Sequence, residues 1–564
     1  MQIGERISEI IAELKLNVKR NPGNVLALAI TVFFMSMYSL FSVIQYYSLG
    51  DSAYDLGMHA QMLESFLHGG LFYSPLIGES LLVEHFTLFE FFQVPVYAIY
   101  PFPISLLIFQ DVFVAAAGYV LYRIAKHFLS DHLKSTLAIE ALPISFLISY
   151  ELSPYTQSLV SFPFHSMAFL PFFFLLAMYS FLKEKRLLHF FSLAMIITLH
   201  SNFVYIVGIV LLYELIFLRT GRGRDINVWL SDRHDPRGRR QFLYFIIFAF
   251  SLYGYLIFAG LMKGYLSGHG VTSLVPTTGA SLAASDSPLG LFALMFTDPH
   301  SFLSYLSASG NEKAFYISFI FDGTAFLSFL SPLSLIMTVP YILYAFPSGY
   351  ASYYQLGYQY GSMLTGPVYF GSVIGVYNLI LLIRYVKRKT LTKMKSGLRD
   401  SSKVILDVPW KQARGRSYIA LLSVLIIVLS IAMIPFGIFS PEGVFHTPEG
   451  SQMQNINYYS LSNASSFLIK ESADIPSGAY ILTENSLMPY FSNHINTYST
   501  PWSPGIYGNL SKFTYIVLQY NSFWATTTMS VPSLQNIAMT GLANGTYGII
   551  AELPGAGIVI MERN

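Results

Sequence analysis

From Asn24 to Phe439 the chain is a succession of long apolar runs, and that pattern bounds what it can fold into. Runs near 24–46, 104–122, 135–150, 164–182, 187–218, 242–260, 314–330, 333–346, 362–383 and 417–439 are separated by polar connectors. A helix crossing a bilayer needs about 20 apolar residues, so most of these runs are candidate spans. Composition agrees: 53% of residues are hydrophobic, 16% aromatic and only 11% charged, with a mean hydropathy of +0.50. A soluble domain carries roughly 25% charged residues. The chain has no cysteine, which excludes a disulfide framework, a thiolate nucleophile and a cysteine-ligated metal.

The run 187–218 is too long for one span and short for two full ones. It has Lys183, Lys185 and Arg186 before it and Arg219 after it. Basic residues favour the cytoplasmic side, so both ends belong there and the run is expected to turn at His200-Ser201-Asn202. The basic residues test the whole layout. Connectors 1–23, 123–134, 183–186, 219–241 and 384–416 hold 28 of the 33 Lys and Arg residues, leaving Lys263, Lys313, Lys470, Lys512 and Arg563. Eleven spans with a cytoplasmic N-terminus satisfy that distribution. Juxtamembrane basic clusters of this kind are topology signals rather than nucleic-acid patches.

The expected fold class is therefore a polytopic α-helical membrane protein of about 11 transmembrane helices with a small external C-terminal α/β domain. Residues 1–23 place Ile3, Ile7, Ile10, Ile11 and Leu14 at helical spacing, as in an interfacial amphipathic helix. Residues 24–439 form the membrane domain, its first run reading as a signal anchor and its first external loop covering 47–103. Residues 440–564 are rich in Ser, Asn, Tyr and Gly. Runs at 478–484, 513–521 and 558–562 read as short strands. Sequons at Asn463, Asn509 and Asn544 all fall in this tail, on the side the charges make external.

Ionisable residues gather in the first loop, where a membrane protein otherwise needs only a turn: Asp51, Asp55, His59, Glu64, Glu79, Glu84 and His85. Such groups beside a bilayer are costly unless used or solvated, which makes the loop the candidate site. The competing reading is an amphipathic loop helix with Leu56, Met58, Met62, Leu63 and Phe66 on its buried face. Further candidates on the same side are His165, His200, Asn202 and the 261–313 loop with Asp286, Asp298 and His300. External acids and histidines on a broad membrane domain suit group transfer from a lipid carrier. A carboxylate would deprotonate an acceptor hydroxyl, or help hold a divalent metal (Mg or Mn) on a lipid phosphate. Lys263 and Lys313 are the external cations before the tail and are candidates for that phosphate. The structural alternatives are solvated loop lysines and satisfied interior histidines.

Tyr54-Asp55-Leu56-Gly57 with Gln61, then His85-Phe86, Pro95 with Tyr97, and Leu106 to Gln110 together resemble a family of archaeal and bacterial predicted membrane proteins. Phe164-His165, Tyr358-Gln359-Tyr360 and the tail segment opening Ile475-Pro476 extend the resemblance over most of the chain. That family is similar to the GT-C glycosyltransferase superfamily. The resemblance implies a GT-C-like membrane domain, a polyprenyl-phosphate sugar donor, and an essential acid in the first external loop. By position that acid corresponds to Asp55, with Asp51 as its rival. His59, Gln61, His85, His165, His200, Asn202, Tyr358 and Gln359 are the implied substrate-side residues.

The chain departs from the family pattern at three points: His59 stands where an acid is expected, Pro163 precedes the Phe-His pair, and His200-Ser201-Asn202 replaces a Lys-Glu-like turn. The metal site is accordingly left unassigned. The implied function is transfer of a sugar from a polyprenyl-phosphate carrier to an acceptor on the external side. Alternatives from other classes are a transporter or flippase for a lipid-linked substrate, and a non-catalytic scaffold whose tail binds a partner. A transporter usually shows internal repeats, and none is evident.

Overall fold

The structure, a computed structural model, describes residues 21–84, 86–130, 136–220, 236–267, 288–348, 350–397, 410–440, 459–500, 502–503, 506, 510–520, 522–526 and 533–564. The amphipathic stretch 1–20, His85, Asp286 and Asn509 lie outside these residues. The helices of eight residues or more are α1 Pro22–Tyr47, α2 Met58–Leu67, α3 Glu90–Ile99, α4 Ile104–Ser130, α5 Thr136–Leu152, α6 Pro154–Ser161, α7 Leu170–Leu182, α8 Arg186–Leu199 and α9 Val204–Thr220. They continue with α10 Pro236–Ser267, α11 Pro288–Thr297, α12 Pro299–Ser307, α13 Gly310–Asp322, α14 Ser362–Gly397, α15 Trp410–Ala432, α16 Ala464–Asp474 and α17 Leu534–Ala543.

Among the described residues, four stretches are long and apolar enough to cross a membrane: Pro22–Tyr47, Ile104–Leu129, Gln359–Ile383 and Tyr418–Phe436. Shorter apolar helical stretches cover Ser166–Leu182, Arg186–Leu199, Ser201–Ile216 and Pro332–Leu343. Where the sequence suggests spans at 314–330 and 333–346, the helix is interrupted. α13 ends at Asp322, Ala325 and Phe326 take positive φ (52° and 56°), and the chain continues in short pieces Leu327–Leu330, Pro332–Leu335 and Val339–Ala345. Pro332 and Pro340 lack the N–H that would continue an α-helical ladder through this region.

α1 packs along α4 and fixes the two ends of the membrane domain. At its start Gly23 lies so close to Glu140 that a Cβ there would stand 1.8 Å from Oε2. Lys126 pairs with the same carboxylate at 2.7 Å. Arg123 donates to Tyr179 at 3.0 Å, and Lys183 meets His127 at 3.0 Å. Basic residues of the 123–134 and 183–186 connectors thus meet at one end. At the opposite end, the Tyr46 ring packs tilted against Tyr490 of the tail with centroids 4.9 Å apart, and Tyr490 donates its hydroxyl to the Tyr46 carbonyl.

The first loop begins with a π-helical turn, Ala53–Gly57, running into α2. It then forms a hairpin of β1 (Tyr73–Ser74) with β2 (Glu79–Ser80). The tail folds as a five-stranded sheet of β3 Ile481–Glu484, β4 Thr497–Thr500, β5 Tyr515–Gln519, β6 Tyr547–Leu553 and β7 Ile558–Arg563. Its spatial order is β4-β3-β5-β7-β6. β3 runs parallel to β4 and β5, while β7 is antiparallel to β5 and β6. β3 and β5 fall within the runs 478–484 and 513–521, and β7 covers the run 558–562 and one residue more. One buried apolar cluster includes Leu482, Ile516, Leu518, Leu534 and Met561. A second face joins the membrane domain's core through Ile481, Val517 and Ile560. The sheet buries apolar residues on both faces, and this is what seats the tail on the first loop.

Candidate functional site

Asp51, Asp55 and His59 stand at four-residue intervals where the chain passes from the end of α1 through the π-helical turn into α2. Asp51 lies in the non-helical connection, Asp55 in the π-turn and His59 in the first turn of α2, and π-turns are frequent at functional sites. Asp55 is half-buried, and the Ser52 hydroxyl donates to its Oδ2 at 3.4 Å. Asp51 is 5% exposed, and neither of its carboxylate oxygens has a hydrogen-bond partner. Burial, and then the charge of Asp55, push the Asp51 carboxyl up to about 8.

The tail clamps this turn from the other side. Asn485 Oδ1 accepts from the Ala53 N–H at 3.1 Å and from Trp502 Nε1 at 2.9 Å, and the Trp502 ring lies 5.3 Å from that of Tyr54. A Cβ on Gly57 would stand 2.3 Å from Met488 Sδ, so glycine is what permits this approach. Asn485 follows β3 and Trp502 follows β4. The carboxyl ends of the parallel strands, where open α/β sheets carry their ligand crevice, therefore face the acidic turn.

A row of histidines and aromatic rings continues from the acids. His59 is buried, with Nδ1 3.1 Å from Glu90 Oε1. Its ring lies 5.1 Å from Phe164 and 6.1 Å from His165. His165 precedes a short 3₁₀ turn, where its Nδ1 accepts from Met167 N at 3.1 Å, and its own N–H donates to Gln110 Oε1 at 2.9 Å. Phe162 then links His165 (6.4 Å) to Tyr358 (5.8 Å). The α8–α9 break adjoins this row, because the Ser166 hydroxyl donates to the Leu199 carbonyl at 3.1 Å. The run 187–218 is indeed two helices. His200 is extended between them (φ −165°, ψ 136°) and its Nδ1 accepts from Asn202 N at 3.1 Å.

Other sequence candidates have different neighbours. Gln61 is fully buried. Its amide donates to the carbonyls of Thr497 (2.9 Å) and His494 (3.3 Å), and its oxygen accepts from Ser74 at 2.5 Å. Its polar atoms are spent on joining α2 to the tail and to the β1–β2 hairpin. Lys313 is 3% exposed and donates to the carbonyls of Tyr305 (3.0 Å) and Leu306 (3.5 Å) in α12, with Tyr354 under its ammonium at 5.0 Å. It terminates a helix, where a cation meets the negative end of the macrodipole. Lys263 is half-buried near the end of α10, a helix that reaches the first loop through Tyr255 and Phe258 against Phe86. Gln359 is buried beside the 158–165 segment, where Gly357 N–H donates to Ser158 Oγ at 2.9 Å. Asp298 is a helix N-cap, accepting from Ser301 N at 3.1 Å.

The sequence singled out none of Glu90, Asp111, Asn485 and Trp502, and Gln110 entered only as part of the family resemblance. Gln110 anchors the site by donating to the Leu159 carbonyl at 2.8 Å while holding His165. Asp111 was visible as a carboxylate inside an apolar run, the usual mark of a functional residue. Nothing local distinguished Asn485 or Trp502 from other polar tail residues.

Residues 45–560 match the family described as predicted membrane protein DUF2079. The chain belongs to that family. No curated protein matches its sequence. Among solved structures it is similar to ArnT from Cupriavidus metallidurans in the apo state, with 11% identity and a TM-score of 0.43, covering 95% of this chain and 98% of that one. It is also similar to the archaeal oligosaccharyltransferase AglB from Archaeoglobus fulgidus, solved with an inhibitory peptide and a dolichol-phosphate. There the identity is 11%, the TM-score 0.36, and the coverage 92% of this chain and 72% of that one.

Proposed function

We propose that this DUF2079 protein is a membrane glycosyltransferase moving a sugar from a polyprenyl-phosphate carrier to an acceptor on the external face of the membrane, with Asp55 as the base. The observation that carries the reading is the placement of Asp55. It is a half-buried carboxylate on a π-turn, at the end opposite the basic residues of the 123–134 and 183–186 connectors, between the His59–His165–Tyr358 row and the carboxyl ends of the tail's parallel strands. An acid held in this way accepts the proton of an acceptor hydroxyl. The hydroxyl oxygen bonds to the anomeric carbon, the bond from that carbon to the phosphate oxygen breaks, and the phosphate leaves on its lipid. Trp502 and Tyr54, both on the rim, offer aromatic faces to a sugar ring. Among the described residues no three His, Asp or Glu side chains gather at metal-ligand spacing, so no step here is routed through Mg or Mn.

The eleven-span layout, the external tail and the external side of transfer belong to the same reading, supported by the segregation of basic residues. The test is transfer from labelled polyprenyl-phosphate sugars to a panel of acceptors by purified protein. Asp55→Asn keeps shape and removes basicity, and turnover should fall by roughly 10² or more, as for loss of a positioned base, with the yield of folded protein unchanged. Asp51→Asn run in parallel decides between the two acids. Full transfer by both folded variants refutes the assignment. Transbilayer movement of the lipid without transfer would instead establish the transporter alternative.

A further inference from the structure

Glu90 opens α3 and is fully buried, and His59 in the first turn of α2 is 3% exposed. The two meet with His59 Nδ1 3.1 Å from Glu90 Oε1. The Gln93 amide, fully buried one turn along α3, donates to the same carboxylate oxygen at 3.3 Å. The His59 ring also stands edge-on to Phe164 at 5.1 Å and to His165 at 6.1 Å. His165 is half-buried, and its Nδ1 accepts from the Met167 N–H at 3.1 Å. A ring nitrogen that accepts an N–H is unprotonated, so the neutral His165 ring carries its proton on Nε2 and is a hydrogen-bond donor there.

A carboxylate beside an imidazole favours the doubly protonated ring, whereas a ring buried without such a partner is favoured neutral. A carboxylate buried alone is costly in turn, so each member of the pair gives the other a reason to be charged. Of the ion pairs among the described residues, His59–Glu90 is the one that joins the row of histidines at the acidic turn. The proposed donor brings a phosphate to this end of the membrane domain, and charge grows on that phosphate as its bond to the anomeric carbon breaks. Lys313, a lysine of the same side, is committed to the carbonyls of α12 and does not meet that charge.

We propose that Glu90 is a positioning residue that holds His59 as an imidazolium, and that His59 and the Nε2–H of His165 together make the subsite for the phosphate of the donor lipid. The choice of ligand rests on the transfer reading above. His165 makes the contact, and His59 supplies charge from behind it, in surroundings with little water to screen the attraction. The other titratable groups on this segment and on the elements packed against α2 are Asp51 and Asp55 at the turn, Glu64 and His68 on α2, Glu79 in the hairpin and His494 in the tail. Asp51 is the rival source of a pH effect. Burial, and then Asp55, push its carboxyl up to about 8, so it too adds negative charge as pH rises.

The experiment uses the full chain purified in detergent and radiolabelled decaprenyl methyl phosphate, a diester that keeps one negative charge between about pH 5 and 9 and has no sugar to transfer. The wild type is expected to bind it saturably at the acid end of this range and to lose affinity as pH rises and the imidazolium gives up its proton. In Glu90→Gln the midpoint of that loss should fall by roughly one pH unit or more, the effect of removing an opposite charge within a few ångströms. Its affinity should recover toward the wild type at the acid end. A merely structural role for Glu90 would weaken binding at every pH and leave the midpoint in place. His59→Gln should bind about tenfold or more weaker at the acid end, as for loss of an interaction with a charged group, and show no such midpoint. Glu90→Asp keeps the charge and withdraws it by one methylene; it should move the midpoint the same way by less, and it serves if Glu90→Gln does not fold. A midpoint unchanged in Glu90→Gln, or surviving in His59→Gln and so belonging to Asp51, overturns the inference and leaves the transfer reading intact. A wild type that does not bind the diester overturns both. Binding with these signatures by a protein that transfers no sugar keeps the subsite and removes the transferase.

Discussion

Replacing Gln61 by Leu separates the two uses that a buried amide in this loop can have. Gln61 joins α2 to the tail through the Thr497 carbonyl at 2.9 Å and to the hairpin through Ser74 at 2.5 Å, with a longer contact to the His494 carbonyl at 3.3 Å. Leucine has nearly the same volume, so little cavity forms, and what is lost is the pairing. Ser74 is fully buried and would lose its acceptor, and the Thr497 carbonyl would lose its donor. A buried polar group left unpaired costs about 1–3 kcal/mol. Two such groups, with partial relaxation, amount to about 2–4 kcal/mol.

This loss falls on the contact between α2 and the tail, so it should appear as local opening rather than global unfolding. At a tenfold change for every 1.4 kcal/mol, the open population rises by roughly 30- to 700-fold. Hydrogen exchange in β4 (Thr497–Thr500) and limited proteolysis of the tail should both accelerate by that factor, provided opening and closing are fast relative to cleavage. Transfer should fall only as the tail's docking weakens. If exchange and proteolysis match the wild type while transfer is lost, the amide acts on substrate, and the structural role argued here is refuted.

Glu484 supplies a pH signature in the tail. It is buried, with Ser522 and Ser486 donating to it, and burial nevertheless holds its carboxyl up, to about 7 against 4.5. A raised folded-state value means that stability is fully present below about pH 4.5 and is lost as pH rises through 7, by about 3 kcal/mol. Glu484→Gln should therefore flatten the pH dependence of β3 and β5 exchange protection between pH 5 and 8, and an unchanged slope would remove Glu484 as its source. The chain's lack of cysteine makes topology directly readable. Single cysteines replacing the exposed Glu184, between α7 and α8, and the exposed Ser462 in the tail should react with a membrane-impermeant reagent from opposite faces. Labelling from one face would end the external placement of the tail.

What the sequence determined by itself is what depends on neighbours a few residues apart. Apolar runs of span length, the break at His200 between runs with basic ends, and strands in the tail are local patterns. Each is set by backbone hydrogen bonding within one segment or by the cost of placing charge in a bilayer. The concentration of acids at 51–55 was legible for the same reason. The partners of those residues were not. His59 meets Glu90 and His165, and Gln61 bonds to residues more than 430 positions away. Lys313, which reads as a phosphate ligand from its side of the membrane, spends its donors on the carbonyls of α12. Asp111 reads as one acid in an apolar helix until α1 brings Ser42 against it. A side chain's role depends on whether its charge and hydrogen-bonding capacity are already satisfied. That accounting closes only when segments distant in the chain are packed together, so the tertiary structure alone decided which of the candidate residues are joined to one another and which are committed elsewhere.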